Sequence, residues 1–177
     1  MMLISIGIGT SVAIVAILVV SWLTNTHNAN APSGQLPPSA LVGQHIRSFH
    51  APGLNGGVVT APWASGHPGV VIFFASWCGP CQKEMPKVAA YLNTHSIGKV
   101  RVLGIDANDS TSAAKSFIAR ARAHFPIGLD PNFTITAGLF GFGQIPETVF
   151  VSARGVVQQV YFGAIPPRQL SAGIARL

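Results

Sequence analysis

Val70-Val71-Ile72-Phe73-Phe74-Ala75-Ser76-Trp77-Cys78-Gly79-Pro80-Cys81 decides how this chain is read. Its first five residues are an unbroken apolar, β-rich run, the pattern of a central strand covered on both faces. The run leads into a cysteine pair and then a predicted helix from Cys81 to about Asn93, with Met85, Val88, Ala89 and Leu92 on one side. Pro86 lies inside that helix and should kink it. Two cysteines separated by two residues at a helix N-terminus can close and open a disulfide with little backbone movement. The helix dipole and free amides favour the thiolate of Cys78, which can then attack another disulfide. Cys81, shielded in the first turn, resolves the mixed disulfide. Pro80 suits that turn because its missing N–H would be unpaired there anyway.

Other uses of such a pair fit the sequence less well. Zinc needs two further ligands, and no two of the scattered histidines have chelating spacing. Covalent haem attachment needs His directly after the second Cys, where Gln82 stands. A purely structural disulfide over so short a loop would stabilise little. The motif calls for no metal and no cofactor.

Working outward, Val100–Ile105 reads as a second strand, ending at the turn-prone Asp106–Ser110. A helix is predicted over Ser112–His124, with Ala114, Phe117, Ile118 and Ala121 at helical spacing, and a short third helix over Phe133–Phe140. Thr148–Val151 and Val156–Phe162 are predicted strands joined by Ala153-Arg154-Gly155, a hairpin signal. Pro167–Leu177 suits a final helix. Upstream, His45–Thr60 holds two short extended pieces around Gly53–Gly57, a second hairpin. The order implies an α/β domain, a mixed sheet with helices on both faces.

Phe74-Ala75-Ser76-Trp77-Cys78-Gly79-Pro80-Cys81 resembles the active-site segment of thioredoxin-fold proteins. Gln82-Lys83-Glu84-Met85-Pro86 and Gly143-Gln144-Ile145-Pro146-Glu147-Thr148 are similar to the membrane-anchored TlpA/ResA/CcmG-type thiol-disulfide oxidoreductases, from about Val42 to the end of the chain. The resemblance implies a thioredoxin-like fold, with a mixed central sheet flanked by helices, an N-terminal β-hairpin extension and an N-terminal transmembrane helix. It implies reduction of protein disulfides outside the cytoplasmic membrane, notably the haem-site cysteines of apocytochrome c, with electrons from a membrane thiol-disulfide donor. A dithiol oxidase acting on secreted proteins and a non-catalytic apocytochrome-binding factor are the alternatives. A peroxidase would need Thr or Ser where Ala75 stands.

The resemblance also assigns residues. Pro146 would be a cis-proline facing the cysteines, letting the Ile145 backbone pair with an extended substrate strand. Substrate contacts are expected from Trp77, Gly79 and Pro80 on one side and Ile145, Pro146 and Glu147 on the other. Cytoplasmic thioredoxins carry a buried Asp where this chain has Ile72. Acid–base help must therefore come from elsewhere. Glu84, three residues after Cys81 and so on the same helix face, is expected to join the two cysteines as a catalytic residue. The alternative is a surface acid complementing the first helical turn. Glu147 is a second acid near the pair. Phe140, Phe142 and Phe150 read as core or rim.

Among 177 residues, 9% are charged and 49% hydrophobic, which excludes extensive disorder. Eleven Lys+Arg against five Asp+Glu give a net charge of +6, but the basic residues never cluster as a nucleic-acid groove requires. The scarcity of acids would suit an acidic extracytoplasmic setting. Residues 1–23 carry no charged side chain and, as a helix, would span roughly 33 Å, enough for a bilayer core. They are expected to be a transmembrane signal-anchor; Ala29-Asn30-Ala31 leaves a cleaved signal peptide as the alternative. Residues 24–41, uncharged and rich in Asn, Ala, Pro, Ser and Gly, are expected to be a flexible linker, and 42–177 the thioredoxin-like domain. The expected location is the cytoplasmic membrane, single-pass, with the catalytic domain on the extracytoplasmic side.

Overall fold

A computed structural model describes residues 39–177; the expected anchor (1–23) and residues 24–38 of the expected linker lie outside the described residues. Among the described residues no helix is long and apolar enough to cross a membrane. In chain order the elements are β1 (His50–Pro52), β2 (Val58–Thr60), a 3-10 turn (Pro62–Ser65), β3 (Gly69–Phe74), α1 (Gly79–Thr94), β4 (Arg101–Ala107), α2 (Thr111–Ala121), β5 (Ile127–Asp130), β6 (Glu147–Val151), β7 (Val157–Phe162) and α3 (Pro167–Ile174). The hairpin β1–β2 stands as a separate two-stranded sheet, and the main sheet has the order β5-β4-β3-β6-β7.

The apolar run sits where its composition demands. All of β3 is buried at the centre of the sheet, parallel to β4 and antiparallel to β6. Parallel neighbours need crossover connections, and α1 and α2 supply them between β3, β4 and β5. Strand alternation then sorts the core into two halves. Val70, Ile72 and Phe74 face Met85 and Val88 of α1, Phe117 of α2 and Leu170 of α3. Val71 and Phe73 point the other way, into a cluster with Phe49, Trp63, Phe140 and Phe142. There the rings meet edge to face, Phe73 with Phe140 at 4.8 Å and with Phe142 at 5.1 Å between centroids. In α3, Gly173 lets the helix lie directly on Phe150, since a Cβ there would come within 2.3 Å of that ring.

The structure differs from expectation in four places. First, α1, α2 and α3 all pack on one face of the sheet, and the other is covered by residues 41–51, the 3-10 turn and residues 131–146. Second, residues 133–140 form successive turns rather than the expected helix. Phe133 has a left-handed φ of 55°, and the amides of Ile135 and Thr136 are taken by the Asp130 carboxylate. The bonds that follow run irregularly, from Ala137 and from Gly138 to the same Phe133 carbonyl. Third, β5 was not expected. It is four residues long and contains Gly128, where a Cβ would lie 2.8 Å from Ala51 and from Val59 of the hairpin. The glycine that weakens the strand signal is what lets the hairpin pack there. Fourth, α2 ends early, at Ala121, because Arg122 turns left-handed at φ 55°. α1 runs through Pro86 without interruption.

Candidate active site

The cysteine pair occupies the junction of the central strand and α1. Cys78 is the N-cap of α1, and its Sγ accepts a hydrogen bond from the Cys81 amide at 3.2 Å. The two sulfurs are joined in a disulfide, with Cα atoms 5.2 Å apart. Cys81 is fully buried, while Cys78 retains 5% exposure at the surface of the site. Gly79 and Pro80 are exposed in the first turn. Trp77 is 58% exposed, so most of its ring is surface rather than packing.

A second wall faces this one. The Ile145–Pro146 bond is cis, as expected, and the Ile145 carbonyl oxygen lies 3.7 Å from Cys78 Sγ. Between the walls runs a groove of about 640 Å³, lined by Trp77, Cys78, Pro80, Phe133, Phe142 and Ile145 among others, with no ionisable side chain other than the cysteine. Asp130, at the end of β5, anchors the outer wall. Its carboxylate accepts from the amides of Ile135 and Thr136 and from the Thr136 hydroxyl, the last two at 2.7 Å. Phe142 thus has a double role, in the aromatic core and on the groove. Phe140 and Phe150 are core.

Glu84 is not the surface acid of the alternative reading. It is buried, and its Oε1 accepts from the Ile165 amide at 2.7 Å, tying α1 to the approach to α3. Its Oε2 is buried without a partner among the described residues. Burial pushes its pKa up to about 7, against the opposing pull of the Ile165 amide. Glu147, directly after the cis-proline, is also buried, with no donor for Oε2 among the described residues. Burial alone raises it to about 7. The five predicted groups nearest the groove, Trp77, Cys78, Gly79, Pro80 and Ile145, line it together. Glu84, Cys81, Pro146 and Glu147 do not line it and lie beneath the surface.

One part of the site was not anticipated. Asp109 accepts from the Ser76 amide at 2.6 Å and from the Ser76 hydroxyl at 2.8 Å, and Gln82 Nε2 donates to the Ser76 carbonyl at 2.7 Å. Ser76 is therefore held at all three of its polar groups, two residues ahead of the nucleophile. Behind Asp109 stands Asp106, buried at the end of β4 and receiving the Asp109 amide at 3.2 Å. The Asp-Ala-Asn-Asp stretch at 106–109 reads in sequence only as a turn. The contact to Ser76 spans 33 positions and leaves no local signal.

Comparison with known proteins agrees with this geometry. Residues 42–160 match the model of the AhpC/TSA family. The chain is 30% identical over 132 residues to the thiol:disulfide interchange protein DsbE of Pseudomonas fluorescens biotype C, covering 72% of this chain and 70% of that one. It is 24% identical over 136 residues to the thiol-disulfide oxidoreductase ResA of Bacillus anthracis, covering 77% and 78%. Among solved structures, a secreted Mycobacterium tuberculosis disulfide oxidoreductase homologous to E. coli DsbE superposes with a TM-score of 0.64 at 25% identity, over 73% of this chain and 96% of that one.

Proposed function

Because the chain belongs to the AhpC/TSA family, and within it is a thioredoxin-like thiol-disulfide oxidoreductase of ResA/DsbE type with a Cys78–Cys81 pair, we propose that it works as a membrane-tethered, extracytoplasmic reductant of protein disulfides, such as the haem-site cysteines of apocytochrome c. The observation that carries the reading is the placement of Cys78, at the N-cap of α1 and facing the Ile145 carbonyl across an uncharged groove. An extended client segment would pair with the Ile145 backbone and set its disulfide against Cys78.

In the reduced enzyme, the Cys78 thiolate attacks the client disulfide, forming a mixed disulfide and releasing one client thiolate. Cys81 then attacks Cys78 Sγ, releasing the second client thiol and leaving the Cys78–Cys81 disulfide. Cys81 is fully buried and must lose its proton in that step. Glu84, one helical turn on, is half-protonated near neutrality and has a free oxygen, which suits it to take that proton. A membrane thiol-disulfide donor would restore the dithiol, and the apolar stretch 1–23 would hold the domain beside it.

The midpoint potential of the Cys78/Cys81 couple in the full-length protein tests the direction. A value at or below about −220 mV agrees with a reductant. A value near about −120 mV would make the protein an oxidant and overturn the proposed role, with the exchange chemistry intact.

A further inference from the structure

We propose that Asp106 and Asp109 act together as positioning residues, fixing the Ser76–Trp77 turn and, through it, the nucleophilic sulfur of Cys78. The inference rests on the exchange chemistry of the cysteine pair and not on the direction of electron flow.

The geometry is that of a strut. Asp109 grips Ser76 by both its amide and its hydroxyl, one on each oxygen of its carboxyl group. Asp106 stands behind it, 1% exposed, with its Oδ1 on the Asp109 amide and its Oδ2 buried without a donor among the described residues. Two adjacent carboxylates cannot both ionise cheaply in such a place, so the buried one keeps its proton. A proton on Asp106, given to the Asp109 carboxylate, satisfies the orphaned carboxyl and fixes Asp109 against Ser76. The pKa of Asp106 is raised to about 8, first by burial and then by the charge and side chain of Asp109.

Charged groups on the neighbouring elements make other contacts or lie at the surface. Asp130 on β5 holds Ile135 and Thr136, Glu84 on α1 holds Ile165, and Lys115 on α2 is exposed. Asp109 is the group whose charge acts on Asp106. Gln82 completes the clamp from α1 through the Ser76 carbonyl. When Asp106 loses its proton to solvent, two carboxylates face each other and the grip on Ser76 loosens. The turn carrying the exposed Trp77 ring then moves, and Cys78 with it.

The test uses the oxidised full-length protein, in which no thiol titrates. Trp77 emission is followed across the pH range, and Trp77→Phe supplies the contribution of Trp22 and Trp63. The wild type is expected to show a transition near pH 8. Asp106→Asn, whose amide can still donate to Asp109, should lack that transition at any pH. Asp109→Asn should show the high-pH emission already at pH 6, and its reduced form should attack a small disulfide more slowly, by on the order of tenfold. Ser76→Ala removes one of the two bonds and should shift part of the way, which keeps the test decisive if Asp109→Asn does not fold. An identical transition in wild type and Asp106→Asn would overturn the proposal. So would wild-type emission and rate in Asp109→Asn or in Ser76→Ala. Because emission needs no client or donor, failure of the reductant reading would leave this result standing, and the reverse.

Discussion

The two walls of the groove are built on opposite principles. The inner wall is regular: a buried strand, a sharp turn that carries Trp77, and a helix that starts with Cys78 as its N-cap and Gly79 and Pro80 in its first turn. The outer wall, from residue 131 to Pro146, has no regular element and is held by one carboxylate, by aromatic packing under the sheet and by the cis-proline. Regular structure places the reacting atoms with little latitude, as exchange chemistry requires. Irregular structure lets Phe133, Phe142 and the Ile145 carbonyl converge on one groove, where a helix would present a single stripe.

Behind each wall lies a buried acid, and here the difference is smaller. Glu84 has one hydrogen bond, whereas Glu147 has none with the described residues. With Asp106 they form a set of three acids whose pKa values are raised to about 7, 7 and 8. Between the ordinary carboxyl range and those values, the folded protein binds more protons than the unfolded one. Stability is therefore full below about pH 4 and lost as pH rises toward 8, by about 3 kcal/mol for each glutamate and by more for Asp106. Urea unfolding of the oxidised protein is expected to show a clearly higher midpoint at pH 5 than at pH 8. Glu84→Gln and Glu147→Gln should each flatten the difference. An equal or higher midpoint at pH 8 would sink this account of the buried acids.

The next largest effect should separate the walls directly. Asp130→Ala strips the outer wall of its anchor and leaves α1 untouched. Loss of these charge-assisted bonds should cost about 3 kcal/mol or more. A loss below about 1 kcal/mol in the same unfolding assay would mean that packing, not Asp130, holds the wall.

Phe133→Gly probes strain against recognition. A left-handed φ costs a bulky residue about 1–2 kcal/mol, partly offset by the entropy of the added glycine. Stability should be unchanged or slightly raised, while KM for a disulfide-bonded peptide rises because the groove loses a ring. A destabilised variant with unchanged KM would show that Phe133 serves the fold and not the groove.

The smallest effect on the fold is expected at Trp77. With 58% of the residue exposed, Trp77→Ala should change stability by no more than about 0.5 kcal/mol. It should nevertheless weaken peptide turnover through KM. Unchanged KM would remove Trp77 from the proposed substrate surface.

The same division governs what could be read from the sequence. The inner wall was legible because its information is local: an apolar run, a cysteine spacing, a helix periodicity. The hairpin and its glycines were legible for the same reason, with Gly56 at φ 92° and Gly57 at φ 70° in the turn. The cis-proline was expected only through the resemblance of Gly143–Thr148 to a known segment. The outer wall misled because Ile135, Leu139 and Phe140 have helix-like spacing, while the left-handed Phe133 and the doubled bonds to the Phe133 and Ile135 carbonyls break the helical repeat. β5 was invisible because a short strand with a central glycine carries little pattern. The grip of Asp109 on Ser76 lies beyond any local reading, since the two residues meet only after β3 and β4 pair.

In the exchange reaction, Cys78 attacks and Cys81 resolves. Incubating full-length Cys81→Ser and Cys78→Ser, each with a disulfide-bonded peptide, and weighing the products by mass spectrometry tests it directly. Cys81→Ser is expected to accumulate a reductant-sensitive mixed disulfide through Cys78. Cys78→Ser, left with a fully buried sulfur, should form none. Adducts on Cys78→Ser, or none on Cys81→Ser, would contradict the assignment.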